Sequence, residues 1–155
     1  MLFRMKTFGS INEVLEFAMI AEQEAVDFYL QLASSQNNPR IKEVFIEFAQ
    51  EEVKHKARLQ KIKDEGNFDL KAEHTADLKI ADYMVSPKPG PNLEYADALL
   101  LAMKYEKAAF KLYTALAYRA PDVGLKRVFE ALAAEESKHK LRFEIEYDEY
   151  VMREN

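Results

Sequence analysis

Glu51-Glu52-Val53-Lys54-His55 is the stretch from which the fold can be read, because it returns 84 residues later as Glu135-Glu136-Ser137-Lys138-His139. Both copies contain Glu-x-x-His. Residues three apart on a helix lie on one face, with Cβ atoms about 5 to 6 Å apart, so the Glu and His of each copy can face one ion. A single Glu-x-x-His is common on solvated helix faces. Its repetition is what points to a metal site.

The repeat extends well beyond the motif. When the chain is aligned with itself at this offset, 18 of the 49 pairs from Ser10/Glu94 to Arg58/Arg142 are identical, without a gap. Roughly three identities would be expected from ordinary residue usage. Self-similarity on this scale indicates two copies of one helical hairpin.

Composition favours a single helical domain. The 155 residues are 48% hydrophobic and 32% charged, with only four Gly and five Pro, which suits one domain that is helical almost throughout. The net charge of -5 disfavours a nucleic acid partner, because phosphate binding needs a basic surface. The chain has no cysteine, so any metal must be held by carboxylate and imidazole.

The sequence gives no sign of a membrane partner. No apolar run approaches the roughly 20 residues of a membrane span. Residues 1–10 lack the apolar core of a signal peptide. We therefore predict a cytoplasmic protein.

The predicted organisation is one domain over residues 1–155. Hairpin one covers about 10–66, a crossover covers 67–91, and hairpin two covers about 92–152. The crossover contains Pro87, Pro89, Gly90 and Pro91, which exclude a continuous helix there. A short helix is predicted around Ala76 to Val85.

The helix ends carry recognisable signals. Ser10-x-x-Glu13 is a capping box that opens the first helix, after a loose lead-in over residues 1–9. Asn38-Pro39 opens the second helix, for which Gly66 is the expected C-cap. Asn92 and Pro121-Asp122 are predicted to cap the third and fourth helices.

Each helix has a buried stripe of apolar positions that repeat in alternating steps of four and three. Each stripe is interrupted by glutamate, and two of them also by histidine. Six polar side chains therefore converge at one level of the core: Glu22, Glu52, His55, Glu106, Glu136 and His139. Glu24 and Glu51 lie off the stripes as surface charges, although Glu51 is close enough to support a ligand.

Four buried carboxylates at one level would repel one another unless cations or protons neutralise them. Two divalent cations balance the four charges; the alternative is a hydrogen-bonded core network of mostly protonated carboxylates. Glutamates from two helices and Glu-x-x-His from the other two are the ligands of ferritin-like di-iron and di-manganese four-helix bundles. We therefore predict an all-α, ferritin-like bundle with two iron ions, manganese being the other candidate.

The chain resembles the rubrerythrin family over roughly residues 10–150. The resemblance is carried by Ala21-Glu22-Gln23-Glu24-Ala25 leading to Phe28-Tyr29, by Glu51-Glu52-x-x-His55, and by the second copies. It implies that two glutamates are terminal ligands (Glu22 and Glu106), two are bridging ligands (Glu52 and Glu136), and each histidine binds one metal (His55 and His139). It also implies that Tyr29 and Tyr113 lie beside the centre, either as hydrogen-bond donors or as ordinary core aromatics.

Two departures from the family pattern affect the expected activity. Rubrerythrins usually carry a further Glu three residues after the third-helix ligand, where this chain has Ala109. They also usually carry a four-cysteine rubredoxin module, and the sequence has no cysteine. The resemblance thus implies that electrons come from a separate donor protein.

The leading functional hypothesis is a di-iron oxidoreductase that reduces hydrogen peroxide or oxygen, acting as a homodimer. The alternatives are a ferroxidase or iron-handling protein and a metal-binding module without turnover. His74 lies in the crossover with no partner at ligand spacing, and we do not expect it in the site.

Overall fold

The computed structural model describes residues 8–69, 75, 77–85 and 93–154. Its elements are all helical: α1 (Ile11–Ser34), α2 (Pro39–Glu65), a 3-10 helix (Ile80–Tyr83), α3 (Tyr95–Arg119) and α4 (Val123–Glu154). The all-α class with two helical hairpins is confirmed.

The predicted end signals of hairpin one are confirmed. The Ser10 hydroxyl accepts a hydrogen bond from the Glu13 backbone N–H at 3.2 Å, and Asn38 accepts one from the Arg40 N–H at 2.9 Å. Gly66 ends α2 with φ +65°, a left-handed conformation that glycine adopts without the Cβ penalty. In hairpin two, the Asp122 carboxylate accepts from the Leu125 N–H at 2.9 Å.

The short helix predicted around Ala76 to Val85 was wrong in extent and type. Within the described part of this segment, only Ile80–Tyr83 form a run, and it is a single 3-10 turn. Lys79 before it and Met84 after it both have extended backbone conformations, so a helix cannot run through 76–85. The Asn92 cap and His74 lie outside the described residues; α3 begins at Tyr95, after Glu94.

The lead-in is also less loose than predicted at its last residues. Phe8 is buried and contacts Phe17 edge-on, with ring centroids 5.4 Å apart. An aromatic pair of this kind stabilises beyond the area that it buries.

The helices pack as two hairpins, α1 along α2 and α3 along α4, while α1 faces α3. The core consists of two apolar clusters on either side of the glutamate level. One contains Leu15, Leu59, Leu116 and Phe129; the other contains Tyr29, Phe45, Leu99 and Phe143. The polar side chains between them are shielded from water by apolar residues at both ends.

None of the described helices combines the length and apolar character needed to cross a membrane.

Candidate metal centre

All six predicted side chains lie in the core, and none is more than 3% exposed. Each helix brings one glutamate to the same level because the stripe that faces the core places it there. The histidines follow one turn later on α2 and α4, on the same face as the preceding glutamate. The six side chains are Glu22, Glu52, His55, Glu106, Glu136 and His139.

The six side chains form two overlapping sets of potential ligands. One set is Glu22, Glu52, His55 and Glu136; the other is Glu52, Glu106, Glu136 and His139. Within each set the ligand atoms all lie within 4.8 Å of one another. Glu52 and Glu136 belong to both sets, which is the arrangement needed for two ions that share two carboxylates.

The histidines face the carboxylates through Nδ1. His55 Nδ1 is 2.7 Å from Glu136 Oε1, and His139 Nδ1 is 3.0 Å from Glu52 Oε1. Both of these close pairs join one hairpin to the other. The centre therefore belongs to the interface between the hairpins and to neither hairpin alone.

Two of the Nδ1–oxygen pairs approach within 3.0 Å, but the inward-facing atoms form no hydrogen bond of suitable geometry among the described residues, which is rare for buried polar groups. They are Glu22 Oε2, Glu52 Oε1, Glu106 Oε2, Glu136 Oε1, His55 Nδ1 and His139 Nδ1. Oxygen and imidazole nitrogen atoms that converge in this way suit iron or manganese. The residues present thus fit a pair of cations better than a closed hydrogen-bond network.

Two tyrosines hold the outer glutamates from the opposite hairpin. The Tyr29 hydroxyl donates to Glu106 Oε1, and the Tyr113 hydroxyl donates to Glu22 Oε1. Each bond fixes one oxygen and leaves the other, Oε2, directed at the centre. Of the two sequence interpretations, the hydrogen-bonding one is right, and each partner lies across the bundle.

Glu51 and Glu135 contact the outer sides of the histidines. Glu51 bonds His139 Nε2, and Glu135 Oε2 lies 3.3 Å from His55 Nε2. A carboxylate at this position fixes the orientation of an imidazole and raises its basicity. Glu51 makes the contact with His139 that the supporting role considered for it requires. The corresponding position of Glu135 was not predicted, although the repeat pairs it with Glu51.

The electrostatics of the centre favour bound positive charge. Burial raises the pKa of Glu52 and Glu136 well above the ordinary 4.5, and repulsion from the other glutamates raises it further. Burial alone would lower the pKa of His139, but Glu106 and Glu52 outweigh it and raise this pKa to about 11. Protons therefore compete with metal for these atoms.

Phe48 marks one of the differences between the two halves beside the centre. The Phe48 ring stacks on His139, with centroids 4.2 Å apart and planes 22° apart. The repeat places Leu132 in the equivalent position. The pseudo-twofold symmetry thus covers the ligands but not every side chain around them.

The comparisons with known proteins agree with this geometry. The sequence profile of the rubrerythrin family matches residues 13–90 and 97–155. The chain belongs to the rubrerythrin family. No curated protein matches the chain significantly.

Two solved structures have a similar fold. One, from Thermotoga maritima, is described as a ferritin-like diiron-carboxylate protein; it is 21% identical, with a TM-score of 0.75 over 94% of this chain and 98% of that one. A hypothetical protein from Pyrococcus furiosus is 27% identical, with a TM-score of 0.69 over 90% and 89% of the two chains. The bundle is therefore ferritin-like, and its buried Glu and His cluster indicates a metal site.

The two ligand sets are nearly equivalent, so removal of either histidine is predicted to cause a similar loss of metal. His55→Ala and His139→Ala are each expected to lower metal content by a similar amount, because each histidine belongs to one set only. Metal analysis of both variants after identical loading would check this. If one variant lost all its metal and the other none, the two positions would not be equivalent.

Proposed function

We propose that this rubrerythrin-family protein is a di-iron oxidoreductase that reduces hydrogen peroxide or dioxygen with electrons from a separate donor protein. The observation that carries the proposal is the pair of ligand sets sharing Glu52 and Glu136, with inward-facing atoms that lack hydrogen-bond partners. Four carboxylates balance two divalent cations, so the bound centre would bury no net charge.

Two bound iron ions would supply two electrons by passing from the ferrous to the ferric state. Glu22, Glu52, His55 and Glu136 would hold one ion, and Glu52, Glu106, Glu136 and His139 the other. The protein contributes ligand placement and a dry surrounding.

The supporting residues keep these ligands in place. Tyr29 and Tyr113 each hold one oxygen of an outer glutamate, so that the other oxygen stays directed inward. Glu51 and Glu135 lie on the outer sides of the imidazoles, which favours Nδ1 as the atom that faces the ions. A ligand held in one orientation needs no rearrangement during turnover.

Ala109 supports a centre with fewer carboxylate ligands than that of rubrerythrins that carry a further Glu at this position. It lies three residues after Glu106 and lines the cavity beside the carboxylates, where a methyl group offers no further ligand. Neither ion would then gain an extra carboxylate, so reduction should require no ion to move between ligands.

Anaerobic mixing experiments test the proposal. Protein loaded with iron and reduced without oxygen is expected to be oxidised by peroxide or oxygen faster than free ferrous iron. Oxidation no faster than that of free iron would refute the activity. Uptake of many irons per chain into a large cage, measured by size-exclusion chromatography and metal analysis, would instead support the iron-handling alternative, whereas a homodimer would support oxidoreduction.

A further inference from the structure

A cavity of about 100 Å³ lies between α1 and α3 and reaches the centre from one side. Four carboxylates line its inner end: Glu22, Glu52, Glu106 and Glu136. Neither histidine lines it. The centre therefore has two different faces, with the imidazoles toward α2 and α4 and the carboxylates toward the cavity.

The walls of the cavity are largely apolar, with Glu24 of α1 as a charged residue among them. Ala18, Ala21 and Ala25 line it from α1, and Ala108 and Ala109 line it from α3. Small side chains at these positions leave space beside the carboxylates that larger residues would fill. Ala21 and Ala109 are partly exposed, so the space opens toward the surface there.

The rim of the cavity is also largely apolar. Ile20 and Met84 are 61% and 59% exposed, and both line the cavity together with Val85. Tyr83 and Met84 come from the crossover, which lies against α3 at the 3-10 helix. Apart from Glu24, an apolar molecule would meet compatible surface from the rim to the carboxylates.

The inner end of the cavity is polar, because the side chains of Glu22, Glu52, Glu106 and Glu136 line it. One oxygen of each of these carboxylates is buried without a hydrogen-bond partner among the described residues. A ligand of this cavity thus needs a polar end that can approach the metal centre and an apolar end that matches the walls.

The size of the cavity narrows the class of ligand. An apolar protein cavity of about 150 Å³ holds benzene, so about 100 Å³ has room for an alkyl group of roughly four carbons. Hydrogen peroxide is smaller and gains nothing from apolar walls. We propose that the centre reduces short-chain alkyl hydroperoxides, with the alkyl group in this cavity and the hydroperoxide group at the carboxylate end.

This inference rests on the proposed oxidoreductase function. In the reaction the O–O bond of ROOH breaks, and two electrons and two protons yield ROH and water. The electrons come from the reduced centre, which the separate donor protein restores, and the protons come from solvent. The cavity contributes selectivity for the R group.

Cavity-filling variants test the inference. Ala109→Leu fills the cavity from α3 and Ala21→Leu fills it from α1; Ala131→Leu is the matched control, on an exposed position of α4 outside the cavity. For reduced, iron-loaded protein, both filling variants are expected to slow oxidation by tert-butyl hydroperoxide by about tenfold or more. Oxidation by hydrogen peroxide should change by less than about threefold, and the control should match the parent with both oxidants.

A binding measurement supplies a readout that does not depend on turnover. Saturation-transfer NMR should detect tert-butanol on the zinc-loaded parent and on Ala131→Leu, and not on either filling variant. Equal slowing with both oxidants, no slowing, or unchanged tert-butanol binding in the filling variants would overturn the inference. If hydrogen peroxide or dioxygen oxidises the parent but tert-butyl hydroperoxide does not, only this inference fails. If none of the three oxidises it faster than free ferrous iron, the proposed function fails as well.

Discussion

Glu52→Ala and Glu52→Gln are expected to lose both metal ions, whereas Glu51→Ala should retain nearly two. Glu52 belongs to both ligand sets and is 1% exposed, so its loss removes a ligand from each ion. Glu51 only contacts the outer side of His139. Removal of Glu51 should lower the affinity for one of the two ions by roughly 10- to 100-fold. Metal analysis after dialysis against a weak chelator would distinguish the two positions.

The stability of the Glu52→Gln variant without metal provides the control. One of four mutually repelling carboxylates is gone, so this variant is expected to melt above the metal-free parent and to gain nothing from added iron. Gln keeps the side-chain volume, which excludes a packing defect as the cause of metal loss. Equal metal content in the Glu51 and Glu52 variants would show that Glu52 does not bridge.

Removal of metal is expected to destabilise the parent protein substantially. A ligand that binds only the folded state stabilises it by about 2.7 kcal/mol at a hundredfold excess over its dissociation constant. For a chain of this length that corresponds to a rise in melting temperature of roughly 5 to 11 °C. Calorimetry of the loaded and chelated protein would measure the difference.

The difference in melting temperature between the loaded and the chelated protein should shrink as the pH falls. The pKa values of Glu52 and Glu136 are raised in the folded protein, so their destabilising effect is greatest above these values and disappears as pH falls toward the unfolded value of 4.5. The raised pKa of His139, about 11, contributes stability that is fully present below pH 6.5 and is lost as pH rises. Both effects stabilise the metal-free fold at lower pH, while protons displace metal from the loaded form.

A melting temperature that does not change with chelation at pH 8 would contradict a bound metal centre. If the difference in melting temperature between loaded and chelated protein increased from pH 8 to pH 5, this would contradict competition between protons and metal for the ligands.

The sequence was sufficient for much of this fold because its signals are local or repeated. Helical spacing places Glu22 and Glu106 on buried faces without any knowledge of what packs against them. Ser10, Asn38 and Gly66 act within one helical turn, so their roles follow from neighbouring residues. The repeat then assigns the same structure to both halves.

The features that could not be predicted from the sequence depend on contacts between residues distant in the chain. Spacing places Tyr29 near the glutamate level, but the choice of Glu106 over Glu22 as its partner depends on how the hairpins face each other. Glu135 looks like any half-exposed glutamate until His55 lies next to it. The cavity depends on alanines from two helices, each of which is an ordinary core residue when taken alone.

The contacts between the hairpins bear on how such a chain could have arisen. Each hairpin supplies one outer glutamate, one shared glutamate and one histidine, and the tyrosine that holds each outer glutamate comes from the other half. A half-length ancestor would therefore carry an outer glutamate, a shared glutamate, a histidine and a tyrosine. It could complete the centre only if two copies paired about a twofold axis. Fusion of those copies would free each half to diverge, as Phe48 and Leu132 have done around an otherwise matched set of ligands.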